Sequence, residues 1–138
     1  MRYVWLFVIG TVVQAAGIAG YMVVSLRNPM ATSGKTIAFA VIMVGVGALV
    51  WREMRRGASF GALLGVSGLL AVGYVVAFVV LGTFTFHGLL IGAEMSGRYA
   101  MTMLRVGINV FVIYAIGTAL LALVRRLSVA RPRGDVQE

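Results

Sequence analysis

The chain has 138 residues, of which 61% are hydrophobic and 12% are charged, against about a quarter charged in a typical soluble domain. This composition excludes a soluble globule, which needs a polar surface, and a disordered chain, which is polar and poor in aromatic residues. The net charge of +8 indicates contact with anionic lipid rather than nucleic acid, because the arginines lie at the ends of apolar runs.

The first apolar run covers about residues 4–26, and a bilayer core of about 30 Å needs roughly 20 helical residues. Arg2 before an apolar run is also typical of a signal peptide, but the run is long enough to span, so we expect a retained helix. Ala16 and Gly20, four residues apart, predict a small face on which another helix packs. Gln14 is a polar side chain inside this span.

The second run, about residues 36–52, is short for a span, and we expect it to gain a helical turn from its flanking residues. The third run covers about residues 61–83 and contains the polar side chains of Ser67 and Tyr74. Glycines recur along one predicted helix face, at Gly57, Gly61, Gly65 and Gly73. Such spacing predicts a groove into which a partner helix packs.

A half-apolar segment, about residues 84–99, separates the third run from the fourth. It contains the single histidine, His87, and it predicts either an interfacial segment or a re-entrant one. Glu94 and Arg98 are four residues apart, which predicts an ion pair on an outer helical turn.

The fourth run covers about residues 101–124, with Arg105 just inside its start and with Asn109 and Thr118 further in. Residues 1–127 are thus predicted to form a transmembrane domain, followed by a disordered basic tail at residues 128–138. Intramembrane polar groups of this kind set the register of helix packing more than its stability.

The distribution of basic residues predicts the orientation of the chain. Most arginines lie near the two termini and between the second and third runs, so the positive-inside rule places both termini in the cytoplasm. The fold class that follows is an all-α membrane protein, an antiparallel bundle of four transmembrane helices. All but one of the 12 basic residues are arginine, and we expect a prokaryotic inner membrane.

Several chemistries lack the residues that they need. The absence of cysteine excludes thiol–disulfide chemistry, iron–sulfur ligation and thiolate zinc sites. None of the four acidic residues lies within a predicted span, which weighs against ion-coupled transport. With one histidine and no convergent acid, base and nucleophile, we expect neither an enzyme nor a metal site, and we predict no cofactor.

Three functional hypotheses remain open. The first is a non-catalytic accessory subunit that packs against larger partners in a membrane complex or associates with itself, in contact with the bilayer and not with nucleic acid. The second is a homo-oligomeric channel or transporter whose path is lined by Gln14, Asn109 and Arg105. The third is an anchor subunit that binds a lipid, a quinone or a pigment, or a haem, at His87 and Arg105.

Overall fold

The computed structural model describes the backbone of residues 1–28, 30, 32–85 and 97–130, and the side chains of residues 1–28, 30, 32–82 and 101–129. The described residues form four α-helices: α1 (Arg2–Arg27), α2 (Thr32–Arg55), α3 (Phe60–Thr85) and α4 (Gly97–Ala130). Each contains a stretch that is long and apolar enough to cross a membrane. The all-helical fold class and the four helical runs are therefore confirmed.

All four helices extend beyond the predicted apolar runs. The second, with 24 residues, gains turns at both ends. The fourth has 34 residues, so residues 97–99 and 128–130 are helical where an outer segment and a disordered tail are predicted. Hydropathy marks only the apolar stretch, whereas backbone hydrogen bonds continue a helix through polar residues. Residues 86–96 and 131–138 lie outside the described part of the chain.

The connection between α2 and α3 is built around Gly57. The Gly57 N–H donates to the Met54 carbonyl, and the Ala58 N–H donates to the Glu53 carbonyl. With a φ of +80° at Gly57, this is a Schellman motif, which ends a helix at a left-handed glycine. The Ser59 hydroxyl then accepts from the Ala62 N–H at 3.3 Å and caps α3.

Gly57 therefore does not belong to the helix face on which its spacing places it. The third helix begins at Phe60, after Gly57, so the predicted glycine series of this helix starts at Gly61. The left-handed conformation that this turn requires is the physical reason for a glycine at this position.

The first helix contacts both α2 and α3, and the third contacts α4. The contacts run in opposite directions along α1 and α2, because Gly17 lies against Ile42 while Arg2 reaches Glu53. The start of α1, the α2–α3 connection and the last turns of α4 consequently meet at one end, which we call the arginine end. Side chains from all four helices form the core, among them Leu6, Ile42, Val50, Leu70 and Tyr114.

The fourth helix is the least covered. Of the residues in its most apolar stretch, 11% are buried inside the described structure, against 39% for α3. Most of its apolar surface is therefore not covered by the described residues.

Candidate functional site

A buried hydrogen-bond network joins α1, α3 and α4 in the middle of the protein. Gln14 is fully buried, and its amide nitrogen donates to the carbonyls of Gly10 at 3.0 Å and Leu70 at 3.1 Å. The Tyr114 hydroxyl donates to the Gln14 amide oxygen at 2.7 Å. Both ends of the amide thus have partners inside the chain, as a buried polar group requires.

A second polar pair fastens α3 to α4. The hydroxyls of Ser67 and Thr118 lie 2.8 Å apart, and the Ser67 hydroxyl is also 3.1 Å from the Leu63 carbonyl. Both side chains are buried. The predicted intramembrane polar groups Gln14, Ser67 and Thr118 therefore act here as contacts between helices.

Tyr74 lies beside an apolar cavity instead. Its ring stacks on that of Phe78 with 6.5 Å between centroids, and both residues line a cavity of about 570 Å³ between α1, α2 and α3. The wall also includes Tyr21 and Ser25. The Ser25 hydroxyl oxygen is buried and has no hydrogen-bond partner among the described residues. The remaining wall is mainly aliphatic.

Close helix approach occurs at Gly10 and Gly17, which lie seven residues apart on one face of α1, rather than at Gly61 and Gly65. A Cβ on Gly17 would overlap the Ile42 side chain and lie 3.2 Å from the Ala38 carbonyl oxygen, and a Cβ on Gly10 would overlap Leu70. Of the positions predicted from the spacing, Gly73 lies close to α1, since a Cβ there would be 2.6 Å from the Thr11 hydroxyl oxygen.

The other predicted packing residues have more space. A Cβ on Gly61 or Gly65 would meet nothing within 4 Å, and both residues are exposed. Ala16 is also exposed, and a Cβ on Gly20 would be 3.9 Å from the Ala38 Cβ. No described helix fills the predicted groove at Gly61 and Gly65, so its use by an external partner stays a prediction.

At the arginine end, a buried carboxylate is surrounded by arginines. Glu53 is fully buried in the last turn of α2 and pairs with Arg2. Its other carboxylate oxygen is 3.3 Å from the Arg56 guanidinium and 3.8 Å from that of Arg52. The guanidinium of Arg125 donates to the neighbouring Met54 carbonyl. These contacts connect α1, the end of α2 and α4.

Glu53 was expected outside the second span, but α2 continues to Arg55 and its last turn buries this side chain. The signal in the sequence was the Glu53–Arg56 spacing, which pairs side chains on a helix. The pairing with Arg2 joins residues 51 positions apart, which local spacing does not reveal.

Most of the described surface of α4 is exposed, and we call the row of side chains that contains Arg105 and Asn109 the α4 stripe. Its members follow one another at spacings of four and three residues, and all are exposed: Arg105, Asn109, Val112, Ile116, Ala119 and Leu123. Alternate spacings of three and four keep side chains on one helix face, as in helices that pack lengthwise against each other. Neither Asn109 nor Arg105 has a polar partner among the described residues.

The structure does not bring together all three groups proposed for a shared path, because Gln14 is separated from Arg105 and Asn109. Gln14 is enclosed between helices, whereas Asn109 faces outward. The predicted site residues His87 and Glu94 lie outside the described residues, as does the side chain of Arg98 in the first turn of α4. Within the described part of the chain, no three histidine, cysteine, aspartate or glutamate side chains form a group that could hold a metal ion.

Comparison with protein-family models, with curated proteins and with solved structures gives no match for this chain. The chemistry of the described residues is therefore the basis for a functional proposal.

Proposed function

We propose that this protein is a non-catalytic accessory subunit of a membrane complex. It crosses the membrane as an antiparallel four-helix bundle and packs lengthwise against a larger partner through the α4 stripe. The observation that supports this most strongly is Asn109, an exposed side-chain amide eight residues from the start of the apolar part of α4 at Met101. At 1.5 Å per residue, this depth is about 12 Å.

An amide at that depth needs a partner. Transfer of an amide from water to an apolar medium without a hydrogen bond costs roughly 2–7 kcal/mol, depending on the reference state. The Asn109 side chain is too short to reach the bilayer surface, unlike the long side chain of Arg105, which can extend outward. A polar group on a neighbouring transmembrane helix satisfies the amide and fixes the register of the two helices.

Arg105 indicates the chemistry of that neighbour. It lies one turn from Asn109 on the same stripe, so a second copy aligned in parallel would bring two arginines together. Like charges at an interface are unfavourable. We therefore infer a different polypeptide, with a hydrogen-bonding side chain opposite Asn109 and a carboxylate opposite Arg105.

The internal polar network favours this proposal over a channel. Of the three groups suggested for a path between protomers, Gln14 is buried with partners inside the chain, which leaves Asn109 and Arg105. The third alternative, a lipid, quinone or pigment site, depends on His87 and stays a prediction. The expected absence of catalysis and of a cofactor stays a prediction as well.

The distribution of charge supports an orientation. The arginine end has six described arginines, at positions 2, 52, 55, 56, 125 and 126, whereas three described basic residues, Arg27, Lys35 and Arg105, lie towards the opposite end. By the positive-inside rule, the arginine end and both termini face the cytoplasm. The membrane that we infer is the inner membrane of a prokaryotic cell.

Co-purification under mild detergent tests the docking of α4. We expect a tagged chain to retain a specific membrane polypeptide, and Asn109→Leu to weaken that retention about threefold, the effect of losing one intramembrane hydrogen bond. The matched control, Gln14→Leu, removes a polar group that faces inward and should lower the stability of the chain rather than the retention of the partner. A wild-type chain that purifies as a lone, monodisperse monomer would contradict the proposal.

A further inference from the structure

The arginine end has more positive charge than its own carboxylate can balance. Glu53 is the single acidic residue in the described part of the chain, and it is already contacted by Arg2, Arg52 and Arg56. Arg125 and Arg126, in the final part of α4, have no carboxylate partner among the described residues. Two adjacent guanidinium groups without a counter-charge favour an anion from outside the chain.

These two arginines line a groove between α3 and α4. Its volume is about 500 Å³. Apart from the arginines, its wall consists of apolar side chains, which are Met54, Ala58, Phe60, Leu63, Ala122 and Val129. The groove therefore joins a charged region at the end of the helices to an apolar surface along them.

The guanidinium of Arg125 is held in place at this groove. One of its terminal nitrogens donates to the Met54 carbonyl at the end of α2. A guanidinium has five N–H donors, so this contact leaves others for a ligand. Arg126 is exposed and follows directly on the same helix.

We propose that this groove binds an anionic phospholipid from the leaflet at the arginine end. Its phosphate contacts Arg125 and Arg126, and an acyl chain lies along Phe60, Leu63 and Ala122. Charge complementarity at the end and apolar surface along the helices match the two parts of such a lipid. The site requires the membrane location proposed above, but it does not require the docking of α4 to a partner.

Native mass spectrometry of the purified full chain tests the charged part of the site, with phosphatidylglycerol and phosphatidylcholine as probes. We expect phosphatidylglycerol to be retained in preference to phosphatidylcholine, and Arg126→Gln to weaken its binding about tenfold, as expected for the loss of a charge-assisted hydrogen bond. Arg55→Gln is the control, because Arg55 is an exposed arginine at the same end that stacks on Trp51 and does not line the groove.

Equal losses in Arg126→Gln and Arg55→Gln would overturn the site, because they would indicate diffuse attraction to a basic surface. Equal retention of the two lipids by the wild-type chain would overturn it as well.

A second pair of variants tests the apolar part of the groove at constant charge. Ala122→Phe fills the groove and should abolish the preference for phosphatidylglycerol, whereas Ala119→Phe places the same ring on the exposed stripe and should preserve it. Unchanged retention in a folded Ala122→Phe chain would overturn the proposal. If that variant does not fold, the comparison of Arg126→Gln with Arg55→Gln decides alone.

Discussion

At the scale of single residues, the polar side chains divide into those with partners inside the chain and those without. Gln14 and Tyr114 satisfy each other within the protein, and Glu53 is enclosed by arginines. Asn109 has the same kind of side chain as Gln14 but faces outward. Polar groups with internal partners stabilise the chain itself, whereas polar groups that face outward are available to another molecule.

The cluster around Glu53 predicts a measurable loss of stability. Glu53→Gln removes the negative charge beside three arginines, two of which are 46% exposed and the third 50% exposed. Because these arginines remain partly hydrated, we expect a loss of about 1–3 kcal/mol rather than the larger cost of breaking a fully buried pair. Reversible unfolding in mixed detergent measures this free energy.

Arg55→Gln is the matched control for Glu53→Gln. Arg55 is an exposed arginine of the same helical turn that makes no ion pair with Glu53, and its replacement should change the free energy of unfolding by less than about 0.5 kcal/mol. Similar values for the two variants would show that the contacts of Glu53 do not stabilise the protein.

The sequence could identify most of the polar groups in the spans but not their partners. Gln14 and Thr118 stand out because they interrupt apolar runs. Tyr114 was missed, and its contact with Gln14 joins residues 100 positions apart, which local spacing does not reveal. Glu53 lies just outside the predicted second span, and its pairing with Arg2, 51 residues away in the sequence, cannot be recognised from local spacing.

At the scale of the helices, hydropathy predicts number and approximate position, because a run of about 20 apolar residues is helical in a bilayer. It does not predict which face of each helix is covered. Apolar residues occupy every face of α4, and the burial of Tyr114 and Thr118 shows which face the neighbouring helices cover.

The spacing of glycines in the sequence likewise does not show which of them contact a neighbouring helix. A matched pair of substitutions compares a glycine in close contact with one in open space. Gly17→Ala forces a methyl group against Ile42 and the Ala38 carbonyl, so we expect it to cost about 1–3 kcal/mol, as overpacking does. Gly65→Ala meets open space and should leave stability unchanged or raise it by up to about 1 kcal/mol. Thermal unfolding of the two purified variants provides the comparison.

A Gly17→Ala variant as stable as the wild type would contradict the close contact between α1 and α2. A large loss in Gly65→Ala would contradict the open surface at that position.

At the scale of the whole molecule, the arginine distribution predicts the orientation. The chain has no cysteine, so single cysteines can be labelled without background. Ser59 lies between α2 and α3 at the arginine end, Ser33 lies near the start of α2 at the opposite end, and both are exposed. With an impermeant maleimide on intact cells, we expect Ser33→Cys to react and Ser59→Cys to react only after permeabilisation. The reverse pattern would contradict the proposed orientation.

The central functional claim is that the α4 stripe docks against a different membrane polypeptide. Site-specific photo-crosslinking in intact cells tests it, with the probe at Ile116 on the stripe or at Leu104 on another face of the same helix. These residues are 57% and 58% exposed, so their accessibility is matched. We predict that the probe at Ile116 captures one defined membrane polypeptide, identified by mass spectrometry, and that the probe at Leu104 does not. Capture of a second copy of this chain at Ile116, or the same products from both positions, would contradict the claim.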